Sequence, residues 1–358
     1  MNPTLKKIGL LAAKIGVSVA ILGYLIFSAF QNDDFVNMLA GWRNWLWWRL
    51  AGAVLLVLAA VALTVFRWQM LARTLGLEFT TREALRVGFL GYAVNLLPLG
   101  LVGGDAVKAV FLARLNPTRR TEAVATVFVD RVIGLVALLI LAALGTLLID
   151  VNEIGKADAE LQRKLSLLCW VIRGAALAGI AAAALLFVPG FTTSSFWNRL
   201  AKIPVLGGII QKLVGAMHIY SGRADRLLLA MLMSLSVHLL FVGMIYVIGS
   251  ALLDAHGQPT PQPPLLDHAV FVPLAMAAGT LPQGFLEWLL KIFYEAFSPT
   301  NTANKGLLIA LVYRAIQVAA AGLGMAPFLL AGTSRPIIHA EELLDKDLLP
   351  RSDAAPLN

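Results

Sequence analysis

Asp105 precedes Arg131 by 26 residues and Glu287 precedes Arg314 by 27, each pair set in sequence too apolar to leave a charge without company. A proline breaks the chain ahead of each pair, Pro98 lying 33 residues before Arg131 and Pro282 lying 32 before Arg314. The arginines also share a context, Arg131-Val-Ile133 and Arg314-Ala-Ile316. An arginine near the centre of a membrane helix costs at least about 2.5 kcal/mol, so it must find a carboxylate, a carbonyl, water or a ligand. Asp130 is next to Arg131 but points about 100° away from it on a helix. Asp105 and Glu287 are therefore the better-placed partners. Glycines open the segments that carry these acids, Gly103-Gly104 before Asp105 and Gly284 before Glu287. Helix starts there would aim bare N–H groups inward beside two guanidiniums, and both favour an anion such as phosphate. The candidate substrate-binding residues are Arg131, Arg314, Asn95, Gly103, Gly104, Asp105, Lys108, Asp130, Gly284, Glu287 and Arg67.

A structural reading stands beside this one. Asp105 could cap its own helix with Lys108 one turn on, Glu287 could pair with Lys291 at i,i+4, and the arginines could do no more than lock segments together. Arg67 and Arg73, at the inner end of a span, read as side chains that reach to lipid headgroups, and Arg173 as one that reaches outward. His238 stands alone in its span and reads as a hydrogen-bonded core residue. The one cysteine, Cys169, excludes a disulfide framework and any CxxC site. No HExxH, CxxC, GxSxG, P-loop or DxD-type motif occurs. Metal and nucleophilic catalysis therefore lack support, and the chain is expected to be no enzyme and to need no cofactor or metal.

The elements that must hold these charges are membrane helices. Hydrophobic residues form 59% and charged residues 14% of the chain, with a mean hydropathy of +0.78, whereas globular domains carry about a quarter charged residues. A soluble fold could not hide so much apolar surface. The net charge of +8 is spread over short loops, as positive-inside topology produces, so no nucleic-acid partner is expected. Stretches 8–30, 46–66, 123–149, 168–188, 227–253 and 306–331 each supply roughly the 20 residues that a bilayer core demands. The first follows Lys6 and Lys7, contains Lys14 and lacks a small-residue cleavage site, so it reads as an uncleaved anchor. Stretches 84–115 and 269–297 are broken at 95–105 and 279–284. The pieces on either side of each break are only about 11 to 15 residues long, too short to span. They read as re-entrant hairpins that enter and leave by one face, with irregular backbone facing protein or water.

Charge placement orients the chain. The N-terminus and segments 67–86, 108–120 and 199–226 are net basic, while 150–167 and 253–268 are neutral to acidic. Treating both hairpins as non-crossing puts every basic loop on one side, so both termini are expected in the cytoplasm. Trp42, Trp45, Trp47 and Trp48 read as an outer interfacial belt, and 194–226 as a helix on the inner surface. The order span, span, hairpin, span occurs twice, and three crossings in the first block invert the second. The expected fold is an all-α polytopic membrane protein of six transmembrane helices plus two re-entrant helical hairpins in an inverted repeat. One integral membrane domain would cover 1–332, with repeats at about 8–149 and 168–331 and a polar cytoplasmic tail at 333–358.

Phe66-Arg67-Trp68, Asn95-Leu-Leu-Pro98, Gly103-Gly104-Asp105, Asp130-Arg131-Val-Ile-Gly134, and Leu281-Pro282-Gln-Gly284-Phe-Leu-Glu287 with Arg314 resemble the lysylphosphatidylglycerol synthase transmembrane-region family. The likeness runs over residues 5–332. Members commonly show Gly-Gly-Leu-Gly before the second acid, where this chain has Pro-Gln-Gly-Phe-Leu before Glu287. The family includes the flippase half of the multiple peptide resistance factor, so the resemblance implies lipid binding or translocation. Only a short segment follows the last span, so lysyl transfer by this chain is not expected. The leading expectation is a flippase-like transporter of the bacterial inner (cytoplasmic) membrane for an anionic lipid or polyprenyl-phosphate-linked lipid. The alternative is a non-transporting lipid-binding partner of a membrane glycosyltransferase or lipid-modifying enzyme. Expected partners are the lipid, the membrane, and a second copy or partner enzyme. Paired charges of opposite sign argue against a channel.

Overall fold

The computed structural model describes residues 3–96, 102–148, 159–185, 220, 222–277, 284–297 and 303–330. The chain runs α1 (Pro3–Phe30), α2 (Asp33–Ala40), α3 (Trp47–Thr74), α4 (Thr81–Asn95), α5 (Val102–Leu115), α6 (Arg120–Leu148), α7 (Ala159–Leu185), α8 (Ala224–Ala251), α9 (Leu265–Ala277), α10 (Phe285–Phe297) and α11 (Ala303–Leu330). Among the described residues the only β pairing is an isolated bridge between Leu253 and Pro259. The hairpin breaks at 97–101 and 278–283, most of the 194–226 segment and the 333–358 tail lie outside the described residues.

Helix lengths sort into two classes for a physical reason. The 28 residues of α3 extend about 42 Å at 1.5 Å per residue, more than a hydrocarbon core of about 30 Å. The 15 residues of α4 reach only about 22 Å, and the 13 of α9 and of α10 about 20 Å. Among the described residues, five helices are long and apolar enough to cross a membrane, within α3, α6, α7, α8 and α11. At 28 residues α1 has the same length. Leu55, Leu135, Leu144, Leu147, Trp170, Leu177, Leu239 and Val318 all stand exposed along these helices. So much outward apolar surface is compatible with lipid and not with water. Several helices start further out than the apolar runs alone suggest. Thr80 and Glu83 form a capping box that starts α4, and α3 runs on to Thr74, carrying Arg67 and Trp68 into the core.

Hydrogen bonds fix which helix ends meet. Arg49 Nη1 donates to Ser250 O at 2.7 Å and Leu46 N to Ala251 O at 3.0 Å, so α3 begins where α8 ends. At the other end Tyr220 Oη donates to Leu71 O at 3.0 Å. There Asn116 Oδ1 accepts from Glu78 N at 2.9 Å and its Nδ2 donates to Glu78 O at 3.2 Å, tying the α3–α4 turn to the α5–α6 turn. Helix α4 thus leaves and α5 returns to the same end. At the opposite end Lys305 Nζ, at the start of α11, donates to Thr260 O at 2.6 Å in the α8–α9 loop.

The core sits where α3 and α8 pack along each other, their contact being the most extensive among the described residues. Trp68, Leu71, Met244, Ile245 and Ile248 are fully buried there. Helix α6 packs on α5, α8 and α9, and α11 packs on α10, α3 and α4. Exchanging α3–α6 for α8–α11 in order leaves the set of packed pairs among these eight helices unchanged. The tryptophans expected as a belt divide: Trp42, Trp47 and Trp48 are exposed, but Trp45 is buried and donates from Nε1 to Met38 O at 3.3 Å.

Candidate functional site

Arg131 and Arg314 each sit eleven residues beyond the first residue of their helix, about 17 Å along the axis. Both reach a carboxylate on the neighbouring short helix. Arg131 Nη2 donates to Asp105 Oδ1 at 2.7 Å, and its Nε bonds Asp105 Oδ2, so the pair is bidentate. Arg314 Nε donates to Glu287 Oε1 at 2.6 Å. In each pair the acid is the more buried partner: Asp105 is 21% exposed against 41% for Arg131, and Glu287 is 0% exposed against 28% for Arg314. Each arginine is therefore the more exposed partner of its pair. Glu287 pairs across to α11 and not along its own helix to Lys291.

Around Arg131 the charges form a cluster drawn from α3, α5, α6 and α8. Arg67 Nε donates to Asp130 Oδ1 at 2.7 Å, its Nη2 to Asp130 O at 3.3 Å, and its Nη1 to the Ser234 hydroxyl. Both Arg67 and Asp130 are 6% exposed. The expectation that Arg67 reaches headgroups is overturned, because α6 and α8 close over it and satisfy its donors in the core. Lys108 is also buried, with its ammonium 5.5 Å from the Trp68 ring centroid. Trp68 Nε1 in turn donates to Thr126 Oγ1 at 3.1 Å. Lys108 lies within electrostatic reach of Asp130, Arg131, Asp105 and Arg67. Three cations thus face two carboxylates, each of which is already engaged by an arginine.

The equivalent place around Arg314 is neutral and built from amide and phenol groups. Arg314 Nη1 donates to Gln317 Oε1 at 3.2 Å, Gln317 Nε2 donates to Tyr313 Oη at 2.8 Å, and Tyr313 Oη faces Met276 Sδ at 3.8 Å. Tyr92 of α4 completes this group, beside Tyr313, Gln317 and Arg314. Its neighbour Gly91 packs against Gly104 and Lys108. One turn of α4 therefore touches both networks.

The N–H groups expected to be bare are not. Gly104 N donates to Asn95 Oδ1 at 2.9 Å, and Gly284 N donates to Glu287 Oε2 at 3.0 Å. Asn95 and Glu287 thus act as caps, in the way that polar side chains usually satisfy helix starts. Gly284 takes φ +107°, a conformation that suits glycine. Gly103 lies in the first turn of α5. His238 behaves as a core residue, its Nε2 2.9 Å from Gly134 O. Arg173 bonds Thr146 on α6 through Nε at 2.8 Å and Nη2 at 2.6 Å, and does not reach outward alone. Ser234, Thr126, Tyr313, Gln317 and Tyr92 were absent from the sequence-derived set. Their signal was polarity inside apolar helices, which spacing from the prolines does not weigh. Among the described residues no group of His, Cys, Asp and Glu could hold a metal ion.

The family model of the lysylphosphatidylglycerol synthase TM region matches residues 11–324. Among curated proteins none matches the chain significantly.

Proposed function

The chain belongs to that family, and on that premise we propose that it binds an anionic lipid and moves it between leaflets. The observation that carries this reading is the surplus cation beside Arg131. Lys108 is buried beside two carboxylates that arginines already engage, so the cluster keeps one positive charge in excess, and Arg131 is 41% exposed. A buried uncompensated charge is costly, and a phosphate would neutralise it while accepting from Arg131. The membrane layout in this proposal has six crossings, with α4–α5 and α9–α10 as re-entrant hairpins in two inverted halves. Support comes from the short lengths of those four helices and from the exchange of helix contacts between the halves. Inverted halves with broken helices are a recurring transporter plan. In this reading the chain performs no covalent chemistry and sits in the cytoplasmic membrane with both termini inside.

One observation favours a second reading, a lipid-presenting partner of a lipid-modifying enzyme. The Arg131 network carries a surplus charge, whereas the Arg314 network is neutral, so only one half is built for an anion. Reconstitution into liposomes with fluorescent phosphatidylglycerol or phosphatidylcholine separates the two. Transport predicts faster leaflet transfer of phosphatidylglycerol, abolished by Arg131→Lys and slowed by Lys108→Gln at unchanged melting temperature. Retention of phosphatidylglycerol by the folded protein without transfer would select the presenting role. Neither retention nor transfer by folded protein would overturn both.

A further inference from the structure

At the end of the bundle where α3 stops and α6 and α8 begin lies a cavity of about 840 Å³. Its lining includes Arg73, Arg119, Arg223 and Arg226 and, among the described residues, no acidic one. The volume lies within the range of roughly 300–1,000 Å³ found for small-ligand sites. These arginines come from three separate places in the chain. Tyr220, buried against α3 through its bond to Leu71 O, holds the start of α8 in register with Arg73. The Arg119 guanidinium rests 3.2 Å from where a side chain at Gly76 would begin. Existing partners leave much of this charge unused. Arg73 spends Nε on Phe79 O at 2.9 Å. Arg119 meets Glu122 at 3.3 Å in a partly exposed pair and Arg226 meets Asp225 at 3.2 Å in a largely exposed one, and exposed pairs are weak. Helix α8 opens at Arg223 with no side-chain cap, so the positive end of its dipole adds to the same field.

The apolar part of the lining indicates how a ligand would lie. Phe66, Met70 and Arg73 follow one another at four and three residues along α3, which places them on one face of that helix. Phe66 is 40% exposed. The stripe thus leads from guanidiniums at the helix end to apolar surface deeper in the bundle. We propose that this cavity is a phosphate-binding site distinct from the Arg131 and Arg314 pairs, taking a lipid phosphate whose tail lies along Met70 and Phe66. The site needs no movement of lipid between leaflets, so it stands or falls separately from the transport reading.

The test uses the full chain purified in detergent, with phosphatidylglycerol, phosphatidylcholine and inorganic pyrophosphate as probes and native mass spectrometry as readout. Arg73→Gln with Arg223→Gln should weaken phosphatidylglycerol binding at least about tenfold, the loss of charge-assisted contacts. Arg226→Gln, at the exposed rim, should weaken it less and flatten its salt dependence. Arg43→Gln, on the opposite end over Trp42, should leave binding unchanged. Loss for phosphatidylglycerol that pyrophosphate cannot mimic assigns the site to a lipid headgroup. Loss for pyrophosphate alone assigns it to a soluble phosphate compound and overturns the lipid arrangement. Wild-type affinity for both probes in a folded Arg226→Gln protein, and in the double variant if it folds, overturns the site altogether.

Discussion

At the scale of residues, three arginines carried by long apolar helices have separate fates. Arg67 is enclosed and its donors are taken by Asp130 and Ser234. Arg131 and Arg314 are each held by a more buried acid, and Arg314 also reaches Gln317. The second pairing can be tested by a cycle. Removing one partner of a buried charge pair costs about 3–5 kcal/mol, whereas removing both costs less. Glu287→Gln with Arg314→Gln should therefore melt above the worse single variant, and that single variant should be Arg314→Gln, because it strands a carboxylate that is wholly buried. Additive losses in detergent melting temperature would argue against direct coupling. Both acid–arginine pairs were legible in the sequence because each spacing spans one short helix, one connection and the first eleven residues of the next helix, a local distance. The burial of Arg67 was not, since it depends on Ser234, which lies 167 residues away.

At the scale of elements, the short helices pair closely because glycines let their backbones meet. A Cβ at Gly104 would lie 2.2 Å from Gly91 O and 2.5 Å from Asn95 Oδ1. Neither atom can yield cheaply: one is backbone, and the other is the cap on the Gly104 N–H. Small residues at helix contacts serve this purpose in membranes generally. Gly104→Ala should therefore destabilise the protein by about 1–3 kcal/mol, the usual cost of overpacking, and separate α4 from α5. Gly243→Ala in α8 makes the contrast, since nothing stands within 4 Å of its added Cβ. It should be neutral or stabilise by up to about 1 kcal/mol through helix propensity. A melting comparison of the two variants decides whether close approach, and not glycine content, matters here. Pro98 and Pro282 mark breaks in the sequence, but proline alone does not decide where a helix stops, since Pro273 and Pro327 lie inside α9 and α11. The sequence did not announce that the glycine N–H groups beyond the breaks would be capped by Asn95 and Glu287. Capping needs the two arms folded together, or a side chain turned back on its own helix.

At the scale of the whole molecule, the hydrogen bonds place the α3–α4 turn beside the α5–α6 turn, and the α8–α9 loop beside the start of α11. The first of these ends also carries Arg73, Arg119, Arg223 and Arg226. Positive charge in short loops marks the cytoplasmic side, so the two hairpins should open to opposite faces with the arginine-rich end inside. Had 84–115 crossed once as a single span, Glu78 and Thr118 would lie on opposite sides of the membrane. Single cysteines at Glu78, Thr118 and His256, all exposed positions, can be placed in a Cys169→Ser background and treated with an impermeant thiol reagent in intact spheroplasts. Position 256 should label at once, and positions 78 and 118 only after permeabilisation. Labelling of 78 and 118 but not 256 would keep the fold and reverse its orientation, which would move the proposed phosphate cavity to the outer face. A split between 78 and 118 would break the hairpin itself, and with it the equivalence of the halves from which the matched roles of Arg131 and Arg314 are drawn.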